Sequence, residues 1–174
     1  MQRKSFEGMQ CAIARSLERV GEWWSMLILR DAFYGLTRFD EFQESLGIAP
    51  NMLSRRLGAL VESGLLVRRP YQDRPVRYEY VLTPAGEDFR PVLIALLAWG
   101  SRQFAPEGVS SQLMDVHTGR VVEPVLVDAH TGEQISRERH VLQAGPAANE
   151  HMRARIELSR QRRERRGDDK SFPN

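Results

Sequence analysis

RFDEFQESLGIAPNMLSRRLGALVESGLLVRRPYQDRPVRYEYVL, residues 38–82, decides the fold. Phe39, Phe42 and Leu46 recur at helical spacing, Gly47 stops that helix, and Pro50 stands where a new helix tolerates a residue without an N–H. A second helix is expected over 50–63. Turning about 100° per residue sets Leu53, Leu57, Leu60 and Val61 on one side, with Asn51, Arg55, Gly58 and Glu62 opposite. One face packs and the other looks outward. After Gly64 the pattern changes to strands: LLVRR, a turn-rich PYQDRP at 70–75, then VRYEYVL, where Val76, Tyr78 and Tyr80 alternate with Arg77 and Glu79. The outline is helix, tight turn, helix, hairpin.

The outward face of the second helix begins with Asn51, Ser54 and Arg55, inside a stretch, 45–61, that holds no acidic residue. Such a face suits the major groove, where Arg reaches guanine, Asn reaches adenine, and a carboxylate would be repelled by phosphate. Arg56 falls at the edge of the packed face, so its stem is expected to lie along the protein and its guanidinium to meet backbone phosphate. From Asn51 to Arg77 there are six arginines (Arg55, Arg56, Arg68, Arg69, Arg74, Arg77) and two acids, a local net of +4. Phosphate is the counterpart such a stretch implies. Arg38, Asn51, Ser54, Arg55, Arg56, Arg69, Arg74 and Arg77 are the candidate DNA-binding residues.

The run from about residue 11 to 100 resembles the HxlR-type winged-helix transcription regulators, relatives of the MarR regulators. The matching pieces are CAIARSLERVGEWWSMLILRD, RFDEF, IAPNMLSRRLGAL, ESGLLVRR, PVRYEYVL, LTPAG and LLAWG, in that order. Two places depart from the family pattern: Cys11-Ala12 stands for its frequent Cys-Pro, and Gly21-Glu22-Trp23-Trp24 for its Gly-Gly-Lys-Trp. The resemblance implies an α+β fold: a winged helix-turn-helix domain, here followed by a small C-terminal β-hairpin extension and a basic helical tail. It also implies a homodimer.

Bulk charge does not carry the nucleic-acid argument. The net is +2; residues 149–174 hold +3 of it and the first 148 residues −1. Arginine outnumbers lysine 23 to 2, a bias that a GC-rich genome also produces, so most of these arginines are not evidence of phosphate recognition. The longest apolar run, 92–99, has eight residues, well short of the roughly 20 that span a bilayer. MQRKSFEGMQ lacks a signal-peptide core. A cytoplasmic protein without membrane association is expected, and the single cysteine agrees with a reducing compartment.

Residues 9–20 read as an amphipathic helix through Ile13, Leu17 and Val20. Residues 23–34 read as a buried central helix, apolar nearly all round, with its tryptophans packed. A very short strand at 36–38 is expected beside the hairpin. Thr83 reads as an N-cap followed by Pro84, opening one long apolar helix kinked at Pro91. That helix and 9–20 have more apolar surface than a small core covers, so dimerisation is expected through them. Two reading heads about 34 Å apart would then address an inverted repeat. Cys11 has two readings: a redox or electrophile sensor, as in regulators of the resembling family, with Arg15 one turn on, or a small apolar residue packed between subunits.

Residues 105–148 form a small β-rich extension in this reading, 1–104 the winged-helix DNA-binding and dimerisation domain, and 149–174 a basic helix and tail. The extension holds a repeat, DVHTGRVVEPV from Asp115 and DAHTGEQISRE from Asp128, with a period of 13. Each Thr-Gly is expected to turn a hairpin, with 121–127 as the strand between. Asp115, His117, Asp128, His130 and His140 raise the question of a metal, but no cysteine pair or helical His pair accompanies them, so no metal and no cofactor is expected. In the tail, Asn149 caps a helix through Met152 and Ile156; its arginines suit a DNA arm, but interspersed acids favour a solvated, fraying helix.

The function these features imply is sequence-specific DNA binding by a homodimeric transcription regulator, a repressor in outline, with a small-molecule or oxidant effector. The alternatives are a winged helix reused for protein interaction, and a sensor acting through Cys11. No Ser/His/Asp spacing, phosphate loop or metal motif points to an enzyme.

Overall fold

The computed structural model describes residues 8–168. The first seven residues, on which the signal-peptide reading partly rests, and the 169–174 end of the tail lie outside the described residues. The chain divides into two compact units: Arg19–Val125, and the residues before Arg19 together with those from Leu126 onward. The boundary falls inside the stretch expected as one extension.

In the first unit, α2 (Trp23–Phe33) is the buried axis. Ile28 and Leu29 are fully buried, and Phe42, Leu53, Leu57, Leu60 and Leu66 close around them. α3 (Phe39–Leu46) begins and ends as expected, and α4 (Pro50–Glu62) starts as expected and ends one residue before 63, with Ser63 as its C-cap. Gly47 takes φ 59°, a left-handed cap that a side chain resists, and donates to the Gln43 carbonyl at 3.0 Å. Pro50 fills the first turn of α4, where its missing N–H costs nothing. The expectation for the tryptophans holds only in part: Trp24 packs on the core, whereas Trp23 at the exposed start of α2 is 76% exposed.

The hairpin pairs β1 (Leu66–Asp73) with β2 (Val76–Leu82) antiparallel, from Leu66 opposite Leu82 to Asp73 opposite Val76. Its first strand runs further than expected. The 70–73 segment, read as turn, continues the ladder because the register shifts between Pro70 and Gln72; a bulge is where a strand accepts a proline. Only Arg74 and Pro75 remain at the tip. Tyr80 packs on the core, but Val76 and Tyr78 are exposed, so the alternation marks a buried face only near the base. The expected strand at 36–38 is a single bridge from Arg38 to Glu79, with Tyr80 N–H donating to the Thr37 carbonyl at 2.7 Å.

Thr83 caps α5 (Pro84–Glu87): its hydroxyl accepts from Gly86 N–H at 3.1 Å and donates to the Gly64 carbonyl at 2.6 Å. The expected kinked helix is two helices. α5 ends before Asp88, and α6 (Arg90–Gln103) restarts with Pro91 in its first turn. A proline cannot donate to the preceding turn, so it opens the new helix instead of bending the old one. No residue of α6 is fully buried, and Val92, Leu96 and Trp99 form an exposed apolar stripe. The first turn of the repeat closes through Gly119 N–H to the Asp115 carbonyl (2.8 Å), Asp115 N–H to the Arg120 carbonyl (2.9 Å) and Val122 N–H to the Leu113 carbonyl (2.8 Å).

The second unit holds most of α1 (Ala12–Val20), whose Ile13 and Leu17 are exposed, and α7 (Glu150–Asp168). Asn149 caps α7 as expected, its Oδ1 accepting from Met152 N–H at 2.9 Å. The second copy of the repeat closes with the same bonds thirteen residues on: Gly132 N–H to Asp128 (2.8 Å), Asp128 N–H to Glu133 (2.9 Å) and Ile135 N–H to Leu126 (2.8 Å). The expected 121–127 strand is not formed; Val121 and Val127 each make one isolated bridge, to Met114 and Gln134.

Gly86 sits where a Cβ would collide with the Leu65 carbonyl oxygen, at the junction of α5 with the hairpin base. Gly86→Ala is therefore expected to cost about 1–3 kcal/mol by overpacking. An unchanged urea midpoint would contradict this close approach.

Candidate nucleic-acid interface

The outward end of α4 is built as its sequence requires. Leu53, Leu57 and Leu60 are buried, which leaves Asn51, Ser54 and Arg55 exposed on the other side, and no acid lies in the first turn. The Asn51 carboxamide oxygen accepts from Met52 N–H at 2.7 Å, so its amide group is the free end. Among the described residues Arg55 makes only a weak contact, with the Met52 sulfur at 3.7 Å.

Arg56 is engaged inside the fold instead of being offered outward. Its guanidinium meets the Glu22 carboxylate at 2.9 Å, with 14% of the arginine side chain and 29% of the glutamate exposed. The ion pair joins the recognition-type helix to the residue preceding α2. Sequence reading flagged Glu22 only as a departure from the family pattern; that a new carboxylate there needs a cation was the available signal.

The start of α3 is fixed by another carboxylate. Glu41 Oε2 accepts from both Arg38 N–H and Thr37 N–H at 2.8 Å. These backbone bonds, from Arg38 first and Thr37 second, hold its carboxyl below the ordinary value of 4.5. At the other end of α3, Ser45 donates to Asp31 at 2.7 Å, and Arg30 holds the second Asp31 oxygen through Nε at 2.8 Å and Nη2 at 2.7 Å. Sequence reading missed this network: Asp31 looks like an ordinary polar position until its burial is seen.

On the hairpin, Arg38 lies over the Tyr71 ring at 4.6 Å and Arg68 over Tyr78 at 4.4 Å, contacts that orient each guanidinium while leaving its edge open. Tyr71 was not singled out from sequence; it occupies the bulge. Arg69, Arg74 and Arg77 are exposed. Arg69 and Arg38 both register with Glu79, one on each side.

Cys11 is half-buried with a free thiol, and Arg15 Nε donates to the Met9 carbonyl at 2.7 Å. Between α2 and α6 lies a groove of about 500 Å³ walled by Met26, Leu27, Phe33, Leu93, Ile94 and Leu97. The repeat's aspartates serve their own turns: Asp115 Oδ1 accepts from His117 N–H at 2.8 Å and Asp128 Oδ1 from His130 N–H at 3.0 Å. His140 Nδ1 accepts from Ser136 N–H at 3.1 Å. Among the described residues no group of three or more His, Cys, Asp or Glu is placed to hold a metal, and no helix is long and apolar enough to cross a membrane.

Residues 19–108 match the family model described as HxlR-like helix-turn-helix. An uncharacterized HTH-type transcriptional regulator of Mycobacterium tuberculosis, Rv3095, is 42% identical over 142 residues, covering 81% of this chain and 89% of that protein. Among solved structures, PA1374 of Pseudomonas aeruginosa, a candidate transcription factor, is 59% identical with a TM-score of 0.61 and covers 84% of this chain and 100% of its own. PA1607, likewise a candidate transcription factor, is 38% identical with a TM-score of 0.73 over 82% of this chain and 100% of its own.

The Glu41 bonds give a pH test with a defined sign. A carboxyl held low in the folded state stabilises above its unfolded value and loses that contribution as pH falls through the lower folded value. The melting-temperature gap between the wild type and Glu41→Gln should therefore be full at neutral pH and close as the pH falls below 4.5. A gap independent of pH would show that the carboxylate does not hold α3.

Proposed function

Because the chain belongs to the HxlR-like helix-turn-helix family and is a transcriptional regulator, we propose that it binds an inverted-repeat operator in double-stranded DNA as a homodimer and represses by occluding the promoter. The observation that carries this reading is the exposed, acid-free start of α4, with Asn51, Ser54 and Arg55 directed away from the leucine core. In the reading, Arg55 and Asn51 contact base edges, and Ser54 reaches either a base or the backbone. Arg38, Arg69, Arg74 and Arg77 on and beside the hairpin meet phosphate. Arg56 acts through Glu22: it sets the angle at which α4 is presented.

The dimer uses the exposed stripe Val92, Leu96 and Trp99 of α6 together with Ile13 and Leu17 of α1. Such a stripe costs least in water when a second copy covers it. An effector acts either at Cys11 or in the groove between α2 and α6, whose volume and apolar walls fall in the range of small-molecule sites.

In fluorescence anisotropy with an operator duplex, Arg55→Ala should weaken specific binding by about 1–3 kcal/mol and relax preference at one position. An equal loss on all sequences would make Arg55 a phosphate contact instead. Arg74→Ala should reduce the slope of log K against log salt by about 0.9 if its guanidinium neutralises one phosphate; an unchanged slope would remove it from the interface. Leu96→Glu should shift sedimentation from dimer to monomer, and a dimer unaffected by this charge would place the subunit contact elsewhere.

A further inference from the structure

α7 contains seven arginines and four acids in residues 150–168, a mixture that reads in sequence as self-neutralised. The structure sorts them by face. Arg160 takes up two of the acids, Glu157 at 2.8 Å and Glu164 at 2.7 Å. The hydrogen bond from Arg160, then that from Gln161, holds the Glu157 carboxyl below the usual range, and the Arg160 guanidinium is raised in turn.

The adjoining face is different. Arg155, Arg162 and Arg163, at helical spacing on α7, line one hollow of about 460 Å³ with Arg137 from the preceding segment; Leu158 and Ser159 complete its wall, and no carboxylate does. Arg163 donates to the Glu138 carbonyl at 2.9 Å, which ties the segment bearing Arg137 to the helix. Arg137, Arg155 and Arg162 are exposed and make no ion pair among the described residues. Four arginines thus line one hollow whose own wall holds no carboxylate, while Arg137 and Arg163 also border the neighbouring hollow that Glu157 and Glu164 line. Mutual repulsion disfavours that arrangement unless an anion enters, and planar guanidinium donors match phosphate oxygens in pairs.

We propose that this four-arginine hollow is a second DNA-backbone contact, separate from the winged head and binding phosphate without regard to sequence. The inference rests on the DNA-binding function proposed for the winged head. The occupant is a polyanion rather than a small free anion because the hollow is open and its arginines stay exposed: they can follow a row of phosphates but do not enclose one.

The test is the salt dependence of DNA binding by the full chain, read by anisotropy, for the wild type and for the triple variant Arg137→Ala, Arg155→Ala, Arg162→Ala. The triple variant should lower the slope of log K against log salt by about 2.7 per protomer, since three phosphates are no longer neutralised. Its affinity should fall by the same factor on selected and scrambled duplexes. The corresponding triple lysine variant should keep the wild-type slope, which excludes a loss through misfolding. An alanine variant with unchanged slope overturns the hollow as a contact. So does saturable binding of inorganic phosphate, by calorimetry, that the alanine variant abolishes while its DNA slope stays intact. The Arg55→Ala control separates the two readings: if it loses specificity while the hollow variants do nothing, only this inference falls, whereas no DNA binding by the wild type removes both.

Discussion

Asp31 and Ser25 are the buried polar side chains among the described residues, and Asp31 is the charged one. A carboxylate out of water is tolerated only with partners close at hand, and where those partners come from fixes the elements that supply them. One partner is the neighbouring Arg30; the other is Ser45 near the end of α3. The core helix therefore fixes the first helix of the reading head through a hydrogen bond that α3 must be in place to make. The second helix is held at the opposite end of α2, where Glu22 takes Arg56. Between these two polar ties lie Ile28, Leu29, Leu53 and Leu57, whose burial supplies the attraction but little direction. Packing holds the helices together, and the two carboxylates set how they are presented.

This arrangement separates the arginine that positions α4 from the one on its open face. The arginine whose guanidinium is turned inward, Arg56, is one residue from Arg55, which is turned outward, because a step of about 100° moves a side chain from the packed edge to the open face. The hairpin follows the same logic with different means. Tyr71 and Tyr78 hold Arg38 and Arg68 by their ring faces, so that orientation comes from an aromatic surface without neutralising the charge. The repeated Asp-x-His-Thr-Gly turns are self-sufficient in the same sense, since each aspartate accepts from the backbone two residues on and needs no metal to close its turn.

The parts legible in the sequence were those governed by local chemistry. Gly47 and Pro50 delimit α3 and α4, Thr83 caps α5, Asn149 caps α7, and the thirteen-residue repeat returns as a repeated hydrogen-bond pattern. What could not be read depends on partners distant in the chain. Arg56 looks available until Glu22, 34 residues earlier, is brought to it. Pro70 suggests a turn because the bulge that accommodates it is a property of two strands in register. Trp23 counts as apolar in any periodicity, yet it stands exposed at the start of α2 while its neighbour Trp24 packs on the core. In the tail, composition averages over faces that the helix keeps apart, so the acids that pair with Arg160 hid the arginines that have none.

The central claim is that the exposed start of α4, held by the polar ties of α2, reads a DNA sequence. Selection of bound duplexes from a random library tests it most directly. The account predicts enrichment of an inverted repeat whose half-sites are about one helical turn apart, about 10 base pairs centre to centre. Recovery of no preferred sequence at low salt, with the folded protein in excess, would contradict it and leave the winged head as a surface for another protein.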